Sequence, residues 1–66
     1  MVVKIIEVIG MSEKSFEDAI AQGVARASKT VQHITGVDVL RQTASVKDGK
    51  ILEYKVDMKL AFVVQD

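Results

Sequence analysis

From Leu52 to Val64 the chain carries a two-residue period. Apolar side chains stand at 52, 54, 56, 58, 60, 62 and 64, and Glu53, Lys55, Asp57 and Lys59 fill places between them. That is the period of a strand with one dry face and one wet face. At about 3.3 Å per residue it would run about 40 Å, against a usual strand of about 5 or 6 residues, which is too long for a small domain to cover. Val2 to Ile9 is a second strand pattern, rich in β-branched residues that suit a pleated, half-buried surface. Val2, Ile6 and Val8 share one of its faces with Lys4, and Val3, Ile5 and Ile9 share the other with Glu7. Both faces want cover, and one helix supplies only one.

Gly10 is expected to end this strand. Ser12 or Ser15 then offers a hydroxyl to the first free amides of a helix, with Glu13, Glu17 and Asp18 near its positive end. Phe16, Ile20, Val24, Ala27, Val31 and Ile34 recur at spacings of three and four, which predicts one amphipathic helix of about 20 residues and about 30 Å. Gly23 inside it reads as a point of close approach to the sheet. The helix is expected to fade through His33 and Ile34 and to stop at Thr35-Gly36. Val37 to Val46 is a further strand, and Lys47-Asp48-Gly49-Lys50 presents the Asp-Gly pair of a tight primed hairpin. Pairing Lys47 with Lys50 places Val37 opposite Leu60, Asp38 opposite Lys59, Val39 opposite Met58, Arg41 opposite Val56 and Gln42 opposite Lys55. The expected class is α+β: a β-α-β-β protomer with a three-stranded antiparallel sheet in the order 1-3-2, partly wrapped by one helix.

Composition adds the need for a staple. A chain of 66 residues is expected to form one domain over 1–66, whose apolar burial roughly cancels the cost of ordering it. Cysteine is absent and there is one histidine, so neither a disulfide framework nor a common structural zinc pattern is available. Self-association is left by elimination. Nine basic and nine acidic residues cancel, so net charge gives no reason to expect nucleic acid or a membrane surface as partner. The apolar start is broken by Lys4 and Glu7 and is too short to span a bilayer. A soluble, cytoplasmic protein is expected.

Candidate chemistry is sparse, and an enzyme is not expected. No spacing gathers a carboxylate and a hydroxyl around His33 as a nucleophilic triad requires; a histidine at a helix end, interacting with the dipole, is the plainer reading. Glu53 and Asp57 alternate with Lys55 and Lys59, so a solvated charge ladder or ion pairs at a subunit contact fit better than a catalytic pair. Gly10-Met11-Ser12 leads from strand to helix but lacks the glycine-rich phosphate-loop patterns. Arg26, Lys29 and His33 fall at helical spacing and would form a basic ridge, either solvated or holding a phosphate-bearing ligand. Asp38, Glu53 and Asp57 are the acidic candidates for a divalent cation.

Three stretches carry a resemblance: Gly10-Met11-Ser12-Glu13-Lys14-Ser15-Phe16, Arg26-Ala27-Ser28-Lys29-Thr30-Val31, and Tyr54-Lys55-Val56-Asp57-Met58-Lys59-Leu60-Ala61-Phe62. With them the chain resembles the dodecins, small flavin-binding proteins, over nearly its whole length. The resemblance implies a β-α-β-β protomer, a homododecameric hollow shell, storage or protection of flavin (FMN or riboflavin) between protomers without turnover, and coenzyme A as a ligand of some members. The departures fall at the expected site. Where the family carries a tryptophan that stacks on the flavin ring, this chain has Gly36, which offers no stacking surface. Where it carries a flavin-contacting glutamine, this chain has Lys55, which donates hydrogen bonds but cannot accept them. Gln42 is the third residue expected to line the pocket. A dodecin with weakened flavin binding is therefore expected; the alternative is a non-flavin member that serves as a structural assembly or holds coenzyme A, another phosphate-bearing ligand or a divalent cation.

Overall fold

The computed structural model describes residues 1–65. Its elements follow the order β1 (Val2–Ser12), α1 (Phe16–Ala27), β2 (Ile34–Lys47) and β3 (Lys50–Val64). β3 lies between the other two strands and is antiparallel to both, so the sheet order is 1-3-2. The expected architecture is the observed one. β3 is 15 residues long, and the molecule extends 51 × 20 × 13 Å.

α1 packs on the even-numbered face of β3. Val56, Met58 and Leu60 are fully buried there together with Ala19 of the helix, and Ile6, Val8, Phe16, Ile20 and Val24 pack around them. The helix starts where its cap predicts: the Ser15 hydroxyl accepts from the Asp18 amide at 3.0 Å. Ser12 takes a different role. Its hydroxyl donates to Asp18 Oδ2 at 2.5 Å and accepts from the Lys14 amide at 2.9 Å, tying the end of β1 to the first turn of α1. Those contacts, with the Gln22 amide at 2.6 Å, hold the Asp18 carboxyl below its ordinary range, the Ser12 hydroxyl being the larger cause.

Two expected boundaries move. β1 does not stop at Gly10 but continues to Ser12. Gly10 is buried and marks the crossing of strand and helix, where an added methyl group would run into the Ala19 carbonyl and come within 3.0 Å of the Met58 methyl. Gly23 completes the same notch from the helix side, 3.5 Å from the Gly10 Cα when given a methyl group. The helix has 12 residues, not about 20, so it covers about 18 Å of sheet. Past Ala27 the chain tightens into a turn, in which the Ser28 hydroxyl returns to the Val24 carbonyl at 2.8 Å and the Thr30 amide to the Ala27 carbonyl at 3.1 Å. Hydroxyl groups that satisfy the last carbonyls compete with further helix. The left-handed residue that redirects the chain is His33, with φ of 64°, while Gly36 lies inside β2.

The hairpin forms as expected, with φ of 52° at Asp48 and 74° at Gly49. Its register holds at the turn and over Val37–Val39, slips between them, and shifts once more at the open end between Ile34 and Gly36. Lys47 pairs Lys50 and Val37 pairs Leu60, but the register shifts between Ser45 and Val46 and again between Val39 and Arg41. The two shifts cancel, and in the stretch between them Arg41 faces Asp57, Gln42 faces Val56 and Thr43 faces Lys55.

Candidate ligand-binding site

Because cross-strand neighbours share a face, the pairing lays out the sheet surface opposite the helix as rows. One row runs Glu7, Lys59, Asp38; the next Ile9, Asp57, Arg41; the next Met11, Lys55, Thr43. At the other end Ile5, Ala61 and Gly36 form a small, flat apolar row. Among the described residues no element covers this face. Ile5 and Ile9 remain 54% and 64% exposed, as a strand greasy on both sides demands.

The charged rows enclose a hollow of about 250 Å³ lined by Ile9, Arg41, Thr43, Lys55 and Asp57. Lys55 leans along its own strand to Glu53, Nζ to Oε1 3.9 Å, with both side chains partly exposed, a contact worth little in solvent. Asp57 Oδ1 is buried and has no hydrogen-bond partner. Glu7 lies diagonal to Asp57 across the strands: once protonated it can donate to the Asp57 carboxylate, and that hydrogen bond, then repulsion between the two charges, lifts the Glu7 carboxyl above its ordinary range against the pull of Lys59.

Of the residues expected to line a pocket together, only Lys55 lies in this hollow. Gln42 does not. The slipped register puts it opposite Val56, on the helix side of the sheet, and places Thr43 and Arg41 where Gln42 was expected. The sequence carries no signal for the two compensating shifts. Gly36 is on the open face, but its partner Ala61 stands six residues from Lys55 along β3, about 20 Å away. One copy of the chain therefore does not bring Gly36 and Lys55 to the same ligand. A Cβ at position 36 would have room, the nearest atom to it being the Ala61 Cβ at 3.7 Å.

The expected basic ridge is not formed on the helix. Arg26 lies in the last turn of α1, Lys29 lies in the turn beyond it, and His33 comes after that turn in a left-handed conformation. His33 instead lines a second hollow of about 360 Å³ with Lys4, Thr30 and the strand end from Phe62 to Gln65. Asp38, Glu53 and Asp57 belong to different rows. Among the described residues no three histidine, cysteine or acidic side chains come together as a metal site in one copy. Among them, too, no helix is long and apolar enough to cross a membrane.

A long β-hairpin and a leading strand around one short helix, with an uncovered face bearing a partly polar hollow, fit the class of small binding proteins. The family model that matches is Dodecin, over residues 2–65. The chain belongs to the dodecin family. It is 31% identical over 65 residues to the dodecin of Thermus thermophilus, covering 98% of this chain and 94% of that one. It is 33% identical over 61 residues to the calcium dodecin of Mycobacterium tuberculosis, covering 92% and 86%. The solved structure of the latter, described as a calcium-chelating antigen with a novel calcium-binding site, superposes with a TM-score of 0.85. The dodecin from Streptomyces davaonensis superposes with a TM-score of 0.95 at 26% identity, over 98% of this chain and 96% of that chain. Dodecins are small binding proteins and not enzymes.

Proposed function

We propose that this chain is the protomer of a cytoplasmic homo-oligomeric shell of the dodecin type, a dodecamer, which binds and stores a small ligand between its copies on the open sheet face. The observation that carries the reading is the mismatch of areas: about 18 Å of helix lies on a molecule 51 Å long. The exposed surface is 4844 Å², against about 4,100 Å² expected of a folded monomer of 7.2 kDa. Such an excess, with Val3, Ile5, Ile9 and Val37 exposed, supports burial by further copies. A hollow of 250 Å³ also falls short of the roughly 300 to 1,000 Å³ of a complete small-molecule site, as one wall of a shared pocket would.

The flavin affinity that membership implies is weakened here. Gly36 supplies no ring to stack on, a loss of about 0.5–1.5 kcal/mol beyond burial for each aromatic contact, and Lys55 cannot accept a hydrogen bond. Riboflavin titrated into the assembled protein should be quenched weakly or not at all, and Gly36→Trp should raise the affinity by about two- to tenfold for each ring contact it adds. Assembled protein that binds riboflavin tightly without the tryptophan would refute the weakening. A monomer in light scattering would refute the shell.

A divalent cation is the second reading. It is supported by similarity to the calcium dodecin of M. tuberculosis and by the unpartnered Asp57 oxygen beside Glu7. Calorimetric titration of calcium into the assembled protein, and into Asp57→Asn, tests it.

A further inference from the structure

Asp48 is the only aspartate in the chain that is followed by a glycine; Asp18, Asp38 and Asp57 are followed by Ala19, Val39 and Met58, and asparagine is absent. The difference is chemical. A side-chain carboxyl can be attacked by the backbone nitrogen of the next residue, and a substituent on that residue's Cα stands in the way of the attack. Glycine carries none. Place in the fold acts in the same direction. Asp18 lies in α1, and Asp38 and Asp57 lie in β2 and β3, where helix and ladder fix the backbone. Asp48 and Gly49 form the exposed loop between β2 and β3. Among the described residues no side-chain hydrogen bond or ion pair holds the Asp48 carboxyl. A Cβ built at Gly49 would meet nothing within 4 Å, so the space beside the reacting bond is open.

The backbone of the loop also discriminates among products. Both residues have positive φ, 52° at Asp48 and 74° at Gly49, as a primed turn requires. For an L-residue that conformation crowds Cβ against the following carbonyl oxygen, whereas for a D-residue it is the ordinary one. We propose that Asp48-Gly49 is a self-modification site, and that the hairpin accommodates the D-aspartyl product and rejects the isoaspartyl one. The Gly49 nitrogen bonds to Asp48 Cγ, its proton and the carboxyl hydroxyl leave as water, and a succinimide ring closes. In that ring the Asp48 Cα proton is activated by the imide carbonyl beside it and exchanges with solvent, which inverts Cα. Water then adds back. Opening the bond from Cγ to nitrogen restores an aspartyl link, L or D; opening the bond from the Asp48 backbone carbonyl to nitrogen leaves an isoaspartyl link that runs through Cβ and Cγ. Nothing is oxidised or reduced, and water is the only co-reactant. The isoaspartyl link lengthens the main chain of a loop whose flanking residues, Lys47 and Lys50, are paired, and loop length fixes hairpin register. The D-aspartyl link keeps the length and suits the φ.

The test ages the full-length protein in buffer made with heavy-oxygen water and reads the label residue by residue by mass spectrometry. Each passage through the imide places a solvent oxygen on Asp48, so label there should far exceed that at Asp18, Asp38 and Asp57. Asp48→Asn, which keeps a residue suited to the primed turn, should pass through the same imide and turn into a mixture of aspartyl and isoaspartyl chains. Chemical synthesis then supplies the whole chain with D-aspartate, or with isoaspartate, at position 48. In urea unfolding at one fixed protomer concentration, the D-aspartyl chain should lie about fivefold further toward the folded form than its parent, the equivalent of about 1 kcal/mol. The midpoint of the isoaspartyl chain should fall below the parent's. Label at Asp48 no higher than at the other aspartates, or an Asp48→Asn protein that stays unconverted, overturns the modification site. A D-aspartyl chain less stable than its parent, or an isoaspartyl chain equal to it, overturns the discrimination by the hairpin.

Discussion

The crossing of β1 and α1 allows a sharp test, because two glycines meet there and only one of them has room to give. At Gly10 an added methyl group would collide with the Ala19 carbonyl oxygen and lie 3.0 Å from its carbon. Both are backbone atoms, and Ala19 is fully buried in the helix. Relief therefore requires lifting the helix off the strand. Overpacking of this kind costs about 1–3 kcal/mol, and a gap of about 0.5–1 Å under the helix forfeits a quarter to a half of each contact across it. Gly10→Ala should fall at the upper end, near 3 kcal/mol. At about 4–8 °C per kcal/mol for a domain of this size, that is a drop of about 12–24 °C. At Gly23 the added methyl is too close only to the flexible side-chain end of Met58, Cε at 2.9 Å, and meets the Gly10 Cα at an ordinary 3.5 Å. Turning that side chain costs about 1 kcal/mol, and replacing a mid-helix glycine returns about the same, so Gly23→Ala should lie within about 1 kcal/mol of the parent. The assay is urea unfolding followed by circular dichroism at one fixed protomer concentration, since the proposed assembly would make stability concentration-dependent. Equal damage from the two substitutions, or a Gly10→Ala protein as stable as its parent, would refute the reasoning.

Ser15→Ala should cost about 1 kcal/mol by freeing the Asp18 amide, and a similar loss from Lys14→Ala would remove the cap as the cause. Glu7→Gln should alter the pH profile of stability in a definite direction. Asp57 raises the Glu7 pKa in the folded chain, so the folded state binds more protons than the unfolded one between the ordinary glutamate value, about 4.3, and that raised value. Stability from this group is thus full at the lower edge of the window and lost as pH rises through it. Glu7→Gln should flatten the denaturation midpoint across the window and exceed the parent above it. A parent more stable than the variant at neutral pH would show the sign to be wrong.

The fold was legible because its determinants are local and repeated. The alternation through Leu52–Val64 can be satisfied only by a strand with one dry face, and Asp48-Gly49 sets the hairpin where positive φ is needed. Helix periodicity misled at the far end. Val31 and Ile34 continue the spacing but belong to the turn and to β2, because Ser28 and Thr30 cap the helix before they are reached. Gly10 has a terminator's character in the sequence, which does not show what a residue packs against. The site was less legible than the fold for a similar reason. Two irregularities that cancel leave the turn and Val37–Val39 in register, so no matching of charges at those places reveals that Arg41 and Thr43, and not Gln42, stand beside Asp57 and Lys55.

In the proposed shell the open face is covered by other copies of the same chain, and folding depends on it. Urea unfolding over a hundredfold range of protomer concentration, with light scattering and far-ultraviolet circular dichroism on each sample, addresses this directly. The predicted result is one large species at low urea, loss of mass and of sheet signal in the same transition, and a midpoint that climbs with concentration. A monomer that retains its sheet signal, with a midpoint indifferent to concentration, would contradict it.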